Sequence, residues 1–348
     1  MSLPPSEIPL GAMRFNSDSQ KLEYWMGSAW MQIKTFSPNF SGGSVSGEVV
    51  GGVRAMTMGG VGPAINHIQF FNMATPGDAT DFGDLPYNQT NTASTASRTR
   101  AVALGGYDPS PGAYISKISA VEMDSTGIGF DFGVLTQTAG YTGAVGNQTR
   151  AVRVGGTGPS NPSTKVMDHV TISNIANAKS FGDLDNAGTS NSCNVNNSVR
   201  GIIHTSFSAD NDTHCEFISI PTLGDGQLFG DLVRSRSDGS GMSNSTRGIF
   251  NGGYSSPGLV PFTEFVTIAT TGNGTRFGDL SSVTFREGGH ASPTRGIVSG
   301  GMSPSPYPTI NVLQSVNFAT EGDTIDFGDL AQAVYEHGST SNGHGGLG

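Results

Sequence analysis

The chain has 348 residues, of which 51 are glycine and only 13% are charged, about half the charged share of a typical soluble domain. Its 18 basic and 28 acidic residues give a net charge of −10, and the basic residues do not cluster, so nucleic acid is not expected as a partner. No apolar run approaches the ~18 residues of a membrane-spanning helix, and the N-terminus lacks the charged-then-apolar layout of a signal peptide, so we expect neither membrane insertion nor Sec-type export.

The first 36 residues differ in pattern from the rest of the chain. Residues 11–30 (GAMRFNSDSQKLEYWMGSAW) alternate apolar and polar residues on either side of a turn at Asn16 to Gln20, and they turn again at Gly27 and Ser28. Alternation with a period of two predicts short β-strands. We therefore expect a small β-hairpin segment over residues 1–36, followed by a second domain over residues 37–348.

From residue 54 onward, three sequence markers recur in phase. A Phe-Gly-Asp-Leu signature, with valine for aspartate in the second copy, returns at steps of 50, 49, 48, 48 and 50 residues. Its phenylalanines are Phe82, Phe132, Phe181, Phe229, Phe277 and Phe327. An arginine stands five residues before a glycine pair in every copy except the fourth, where the pair is replaced, and these arginines are Arg54, Arg100, Arg150, Arg200, Arg247 and Arg295. A glycine also stands five residues before each phenylalanine except Phe181. Six internal repeats of about 48 residues follow.

Each repeat is expected to contain four short strands and no helix. One strand begins at the arginine, one alternating segment precedes the Phe-Gly-Asp-Leu signature, the signature itself is a third strand, and a fourth precedes the next arginine. Alignment of the alternating segments predicts a ladder of buried residues, two from each repeat. These are Phe71 and Met73, Val121 and Met123, Val170 and Ile172, Ile218 and Ile220, Val266 and Ile268, and Val316 and Phe318.

Four strands in each repeat of about 50 residues, with a glycine pair after an apolar strand, are typical of kelch-type β-propellers. Each sheet buries its faces on its neighbours, so the last sheet must cover the first. We therefore predict an all-β fold, a six-bladed kelch-like β-propeller that follows the small N-terminal hairpin. A C-terminal strand around Val334 to Asn342 is expected to complete the first blade and close the ring, and the segment Ser41 to Val50 is the alternative for that place.

The repeated arginine and aspartate admit two interpretations. They form either a ring of ligand sites or a structural element, as an Arg–Asp pair or an aspartate-capped turn. We favour the structural interpretation, because a binding or catalytic site needs different groups in different roles, whereas groups present in every repeat serve the repeat. The aspartates concerned are Asp84, Asp183, Asp231, Asp279 and Asp329.

The segments that follow the glycine pairs vary in length and composition, as surface loops do, and five of them are expected on one face. They carry Tyr107, Tyr114, Tyr254 and Tyr307, and tyrosine is a common residue of adaptable binding surfaces. These four tyrosines are our candidate ligand-binding residues. The alternative is that they lie in solvated turns with no partner.

An enzyme is not expected. Both tryptophans lie outside the repeats, where no sialidase-type motif can use them, and the loop acids Asp108, Asp210, Asp212 and Glu264 suggest no glycosidase pair. His204, His214 and Cys215 match no standard zinc spacing, so neither a metal nor another cofactor is predicted. The two cysteines, Cys193 and Cys215, are expected to be free thiols.

The pattern of residues 11–30, with Arg-Phe-Asn-Ser-Asp, Leu-Glu-Tyr-Trp and Gly-Ser-Ala-Trp, resembles a small β-hairpin module of tailed-bacteriophage structural proteins, although Met26 replaces the usual asparagine. The repeats, with Phe-Gly-Asp-Leu and Thr-Ile-Ala-Thr-Thr-Gly-Asn, resemble kelch-like proteins of marine cyanobacterial phages. The resemblance covers the whole chain and implies a virion component of the tail, neck, baseplate appendage or fibre.

The resemblance implies that the N-terminal segment docks on other virion proteins and that the propeller faces outward, as decoration or for adhesion to host surface polysaccharide. Several copies per particle are expected. The aromatic residues of the segment either insert into a neighbouring virion protein or form its own small core, and they are Phe15, Tyr24, Trp25 and Trp30. A propeller-type glycan hydrolase or depolymerase is the alternative function, and a secreted host-side lectin is a third.

Overall fold

The structure is a computed structural model that describes residues 8–16, 21–32, 53–159, 164–186, 193–205 and 213–347. The chain divides into two compact units, residues 1–46 and 47–348. The expected domain boundary after residue 36 and the segment Ser41 to Val50 lie outside the described residues. Among the described residues, the only helical element is a 3-10 turn at Gly345–Leu347, and no helix is long and apolar enough to cross a membrane.

The first unit contains a three-stranded antiparallel sheet. Its strands are Met13–Asn16, Lys21–Trp25 and Trp30–Gln32, in that order. Met13 faces Tyr24, and Trp25 faces Trp30 across the second strand pair. The prediction of a β-hairpin is therefore confirmed, and a third strand extends it.

Within the described residues, the second unit contains six antiparallel four-stranded sheets. Sheet 1 consists of Gly338–Ser341, Arg54–Met58, His67–Asn72 and Thr80–Asp84. Sheet 2 consists of Ala93–Ala96, Arg100–Asp108, Ala113–Glu122 and Phe130–Val134. Sheet 3 consists of Gly143–Gly146, Arg150–Val154, Val166–Thr171 and Lys179–Asp183. Sheet 4 consists of Asn194–Asn196, Arg200–His204, His214–Ser219 and Gln227–Asp231. Sheet 5 consists of Ser240–Ser243, Arg247–Asn251, Phe262–Thr267 and Thr275–Asp279, and sheet 6 of Gly288–Ala291, Arg295–Ser299, Val312–Asn317 and Ile325–Asp329. A two-stranded ribbon, Tyr254–Ser255 with Gly258–Leu259, lies in the loop of sheet 5.

The strands match the predicted repeat. Every repeated arginine begins the second strand of its sheet, and every Phe-Gly-Asp-Leu signature lies at the end of the fourth. The predicted C-terminal strand pairs with the strand from Arg54, with Gly338 opposite Met58 and Ser341 opposite Ala55. It is shorter than expected and begins at Gly338, because Glu336 has a positive φ of 55° and ends the preceding turn.

Six apolar clusters lie between successive sheets. Each cluster takes residues from two sheets, and the cluster with Phe71, Met73, Ile297 and Leu313 joins sheet 6 to sheet 1. All twelve residues of the predicted ladder are buried, which confirms that prediction. The unit is therefore all-β and propeller-like, with its core between the sheets.

The repeated arginines link each sheet to the next, as the favoured structural interpretation expects, but their partner in these links is a main-chain carbonyl and not the aspartate of one expected form, the Arg–Asp pair. Each guanidinium donates through Nη1 to the main-chain carbonyl of the second ladder residue in the following sheet. The pairs are Arg54 with Met123, Arg100 with Ile172 (2.8 Å), Arg150 with Ile220 (2.7 Å), Arg200 with Ile268 (3.1 Å), Arg247 with Phe318 (2.8 Å) and Arg295 with Met73 (2.9 Å). The carbonyl takes the place expected for aspartate because the end of the neighbouring strand lies beside the arginine.

The Phe-Gly-Asp-Leu signature makes a second link between sheets. In sheet 4, the Phe229 carbonyl accepts from the Gly272 amide (3.0 Å), and the Asp231 amide donates to Oδ1 of Asn273 (3.0 Å). The aspartate of the signature thus contributes its main chain here. The same arrangement connects sheet 6 to sheet 1, where the Gly77 amide donates to the Phe327 carbonyl (2.9 Å).

Candidate functional site

Residues from the first strands of the six sheets line one cavity in the second unit, which we call the channel. Its cavity has a volume of about 130 Å³, room for several water molecules, and small polar side chains and glycines line most of it. Glycine is required where these strands approach closely, since a Cβ on Gly241 would overlap the carbonyl oxygen of Asn194. The channel is therefore narrow and polar, and residues from all six sheets line it.

The C-terminal segment His344–Leu347 closes one end of the channel. Nε2 of His344 lies 2.7 Å from the carbonyl oxygen of Ala96, and Arg98 donates to the carbonyl of Leu347 at 2.7 Å. Gly345 and Gly346 are buried, and a Cβ on either would overlap carbonyl oxygens of neighbouring inner strands. The opposite end of the cavity is lined by Asn91, Asp238, Arg286 and Glu336, and we call it the channel mouth.

One repeat position forms the channel mouth. The sixth residue after each signature leucine has a left-handed backbone, with φ between 51° and 59°, in every described copy. These residues are Asn91, Tyr141, Asp238, Arg286 and Glu336. The corresponding residue of the third repeat, Ser190, lies outside the described residues. Left-handed backbone is uncommon in residues other than glycine, so its recurrence marks a constrained position.

The left-handed residues are joined by main-chain hydrogen bonds. The Tyr141 amide donates to the Asn91 carbonyl (2.9 Å), and the Asn91 amide donates to that of Glu336 (2.8 Å). In the same way, the Glu336 amide donates to the Arg286 carbonyl (3.0 Å), and the Arg286 amide donates to the Asp238 carbonyl (2.5 Å). The positive φ turns each amide toward its neighbour, so these bonds hold the rim of the mouth together.

The side chains of the rim differ from sheet to sheet. Nη1 of Arg286 lies 2.6 Å from Oε1 of Glu336, and its Nε lies 3.6 Å from Oδ1 of Asp238. Burial raises the pKa of Glu336, and Arg286 partly opposes this effect. Just inside the mouth, burial raises the pKa of Glu287 well above its usual value.

Two buried histidines and a serine form a hydrogen-bonded chain beside the channel. Nδ1 of His290 lies 3.0 Å from the Thr340 carbonyl, which can only accept, so this nitrogen carries the proton. Nε2 of His290 therefore accepts from the Ser299 hydroxyl (2.8 Å), and the Ser299 oxygen accepts from Nε2–H of His337 (3.0 Å). This assignment leaves Nδ1 of His337 unprotonated, as a hydrogen-bond acceptor.

The four predicted tyrosines lie around this mouth. Tyr107 and Tyr254 form β-bridges with the residues just before Asn91 and Asp238, and Tyr307 packs edge-on against Phe285, which precedes Arg286. Tyr114 contacts both Tyr107 and Tyr141, with ring centroids 5.5 and 6.4 Å apart. The structure thus brings Tyr107 and Tyr114 together and places Tyr254 and Tyr307 in the loops of other sheets. Whether they bind a ligand stays a prediction.

The rim residues were missed in the sequence because they follow no repeated residue type. The one available signal was variation at a single aligned position. When the six copies are aligned on the signature leucine, this position is occupied by Asn91, Tyr141, Ser190, Asp238, Arg286 and Glu336. The residue at this position is polar in every copy, although its type changes.

The other candidate residues have structural partners. Asp108 accepts from the Ser110 amide (3.0 Å), and Glu264 is buried in an ion pair with Arg236. Asp210 and Asp212 lie outside the described residues. Nδ1 of His204 lies 3.0 Å from the His214 carbonyl, and within the described part of the chain no three histidine, cysteine or acidic residues are grouped to hold a metal.

Both cysteines are free and buried, as expected for structural thiols. They belong to one apolar cluster between sheets 4 and 5. Burial raises the pKa of Cys193 to about 12 and that of Cys215 well above its usual value, so neither is a thiolate at neutral pH.

The two faces of the N-terminal sheet differ. On one face, Trp25 is 6% exposed and packs on Trp30 with ring centroids 5.4 Å apart, and Arg14 lies 4.2 Å above the Trp30 ring. The two tryptophans therefore form a small core of the segment. Apolar side chains on the opposite face remain in solvent: Met13 (66% exposed), Phe15 (65%), Tyr24 (36%) and Met31 (45%). We call these four residues the apolar face.

The buried histidines make stability depend on pH. Burial lowers the pKa of His344 to about 4, whereas an unfolded histidine titrates near about 6.5, so the unfolded chain binds a proton that the folded chain does not. The free energy of unfolding therefore falls as the pH drops from about 6.5 toward 4. Between about pH 7 and pH 5 we expect wild type to lose about 2 kcal/mol more than His344→Asn. Urea unfolding at both pH values measures this difference, and equal losses in the two proteins would contradict the burial of a neutral imidazole.

Comparison with known proteins adds no assignment. No family model matches the chain, and no curated protein matches it. The resemblance to phage proteins therefore stays a prediction, and the function is argued from the channel mouth and the apolar face.

Proposed function

We propose that the second unit is a closed, six-bladed kelch-like propeller. Six sheets, six apolar clusters between them and the arginine links in all six repeats support this proposal. The pairing of the C-terminal strand with the strand from Arg54 and the Arg295–Met73 bond support closure. A ring explains how sheet 6 avoids an exposed apolar face without a capping element.

We further propose that the chain is a non-enzymatic structural protein of a tailed-phage virion, in the tail, neck or a fibre. The apolar face of the N-terminal unit is the observation that carries this proposal. Four large apolar residues on one side of a three-stranded sheet are more than a small segment leaves in water without a partner. In a virion this face docks on another structural protein, and the propeller is displayed outward for decoration or host-surface glycan adhesion.

Only two of the four aromatic candidates are assigned to docking. Trp25 and Trp30 hold the segment together, whereas Phe15 and Tyr24 belong to the apolar face and are the docking contacts, together with Met13 and Met31. Burial of two such side chains contributes about 3–6 kcal/mol to docking, before the cost of ordering is subtracted.

Incorporation of variants into particles tests this role. We expect Phe15→Asp with Met31→Asp to reduce the amount of the chain that co-purifies with phage particles by roughly tenfold or more, because both charges would be buried at the interface. The measurement is quantitative mass spectrometry of particles from a host that supplies the variant in place of the natural chain.

The matched control is Ile325→Asp, which places a charge at an equally exposed apolar residue (66%) of the second unit. It is expected to leave incorporation unchanged. Normal incorporation of the Phe15/Met31 variant would contradict docking through the apolar face, and absence of the natural chain from the particles would contradict the virion role itself.

A further inference from the structure

We infer that the channel mouth binds a neutral saccharide, with the sugar resting on the tyrosines of the rim and one edge inserted toward the channel. The inference rests on the proposed adhesion role, for which it names the site and the ligand class. The segment His344–Leu347 lies across one end of the channel, so the mouth opens into a polar cavity that is closed at its far end.

Polar atoms without a protein partner line this cavity. Asn91 is 5% exposed, Glu287 6% and His337 6%, and all three line the cavity. Oδ1 of Asn91 and Nδ1 of His337 have no hydrogen-bond partner in the protein, and the Glu287 carboxyl lies beside the Ser240 hydroxyl. A buried polar group without a partner costs about 1–3 kcal/mol, so these atoms require hydrogen bonds from a bound molecule or from water.

The chemistry of these atoms fits hydroxyl groups. Oδ1 of Asn91 and Nδ1 of His337 can only accept hydrogen bonds, and the raised pKa of Glu287 favours its protonated form, which both donates and accepts. A hydroxyl also does both, so adjacent hydroxyls of one sugar can satisfy all three residues. An ammonium group offers donors alone and a carboxylate acceptors alone.

Charge at the mouth argues for a neutral ligand. The guanidinium of Arg286 already lies between the carboxylates of Glu336 and Asp238, at 2.6 and 3.6 Å. An anionic ligand would have to displace these carboxylates, and a cationic ligand would meet Arg286. A neutral molecule can approach both kinds of group without the cost of burying an unpaired charge.

The tyrosines provide the apolar part of the site. Tyr141, on the rim, is half-buried, and its ring is edge-on to that of Tyr114, which in turn contacts Tyr107. Sugar rings carry C–H faces that pack on aromatic side chains, while tyrosine hydroxyls remain able to form hydrogen bonds. An aromatic wall beside unpartnered polar atoms is the combination that a saccharide needs.

Titration of the isolated full-length chain with defined sugars tests the inference. The probes are neutral di- and trisaccharides of glucose, galactose, mannose and N-acetylglucosamine, with sialyllactose and inorganic sulfate as charged probes, followed by NMR or calorimetry. We expect at least one neutral probe to bind with a Kd of roughly 1 mM or below, and the charged probes to bind at least tenfold more weakly.

Variants locate the binding site. Tyr141→Asn and Arg286→Asn are expected to weaken binding about tenfold or more, and asparagine tolerates the left-handed backbone at both positions. Arg276→Asn is the matched control, because Arg276 also pairs with a carboxylate, Asp279, but lies on an outer strand. It is expected to bind like wild type, and thermal melting confirms that all three variants fold.

Two outcomes would overturn the inference: no neutral probe binds at roughly 10 mM, which leaves water as the occupant of the cavity, or the rim variants bind as tightly as wild type. Release of reducing ends from a bound probe would favour the alternative of a glycan hydrolase. Because docking is measured through the N-terminal unit, failure of sugar binding leaves the incorporation result standing, and the two proposals can fail separately.

Discussion

Removal of residues 338–348 is expected to abolish the cooperative unfolding of the second unit. The strand Gly338–Ser341 pairs along the strand from Arg54, and the Thr340 carbonyl accepts from His290 of sheet 6. Without the strand Gly338–Ser341, the strand from Arg54 becomes an unpaired sheet edge. The contact between sheets 6 and 1 is then exposed on the channel side. The loss is expected to match or exceed the about 5–15 kcal/mol that stabilises a typical domain.

Urea unfolding followed by circular dichroism measures this effect in the full chain, in the chain without residues 338–348 and in the chain without residues 1–46. The last is the control and is expected to keep the transition of the second unit. A synthetic peptide of residues 334–347, added to the shortened chain, is expected to restore the transition. An unchanged urea midpoint in the shortened chain would show that the strand pairing contributes little, and it would remove the main support for a closed ring.

Gly230→Ala is expected to destabilise the second unit by about 3 kcal/mol or more. Gly230 is the glycine of the fourth Phe-Gly-Asp-Leu signature and has a φ of 151°, which side chains rarely adopt. A Cβ there would also overlap the carbonyl oxygen of Gly272 in the next sheet. The outer strand would have to move away, which breaks the bonds from Phe229 to Gly272 and from Asp231 to Asn273.

Gly272→Ala is the matched control for this substitution. Gly272 lies at the same contact between sheets, but a Cβ on it would point into open space. We expect a change below about 1 kcal/mol, since the added methyl meets nothing and only the unfolded chain is affected. Equal effects of the two substitutions in urea unfolding would refute the close approach of the main chains as the reason for the repeated glycine.

The local pattern of the repeat was enough to predict much of the second unit. The arginines mark the starts of strands, and the alternating segments gave twelve buried positions because side chains of a strand point to opposite faces in turn. The C-terminal strand could be placed from its distance to the last signature. These features depend on residues that are close in sequence, so they can be predicted within each repeat and then compared among the six copies.

The partner of the repeated arginine could not be predicted in the same way. Arg100 and Ile172 are 72 residues apart, and Arg295 and Met73 are 222 apart. The acceptor is a main-chain carbonyl, which every residue has, so no residue type in the sequence identifies it. The aspartate of the signature suggested a charge pair, but the neighbouring sheet supplies the acceptor instead.

The channel mouth shows the same division between sequence and structure. The loop tyrosines were found because they lie in variable segments and tyrosine is common in adaptable binding surfaces. Asn91, Arg286 and Glu336 share no residue type that alignment of the repeats would pick out. Their common property is a positive φ, set by the main-chain bonds of the rim. That property belongs to the arrangement of sheets around the channel.

The amino-acid sequence by itself determined the number of repeats, the four strands of each and the residues buried between them, because hydrophobic period and glycine position act over a few residues. The tertiary structure alone decided which atoms link the sheets, which side chains meet at the mouth and which face of the N-terminal sheet stays exposed. These depend on contacts between distant parts of the chain, many through main-chain groups common to all residues, and such contacts leave no mark in the local pattern.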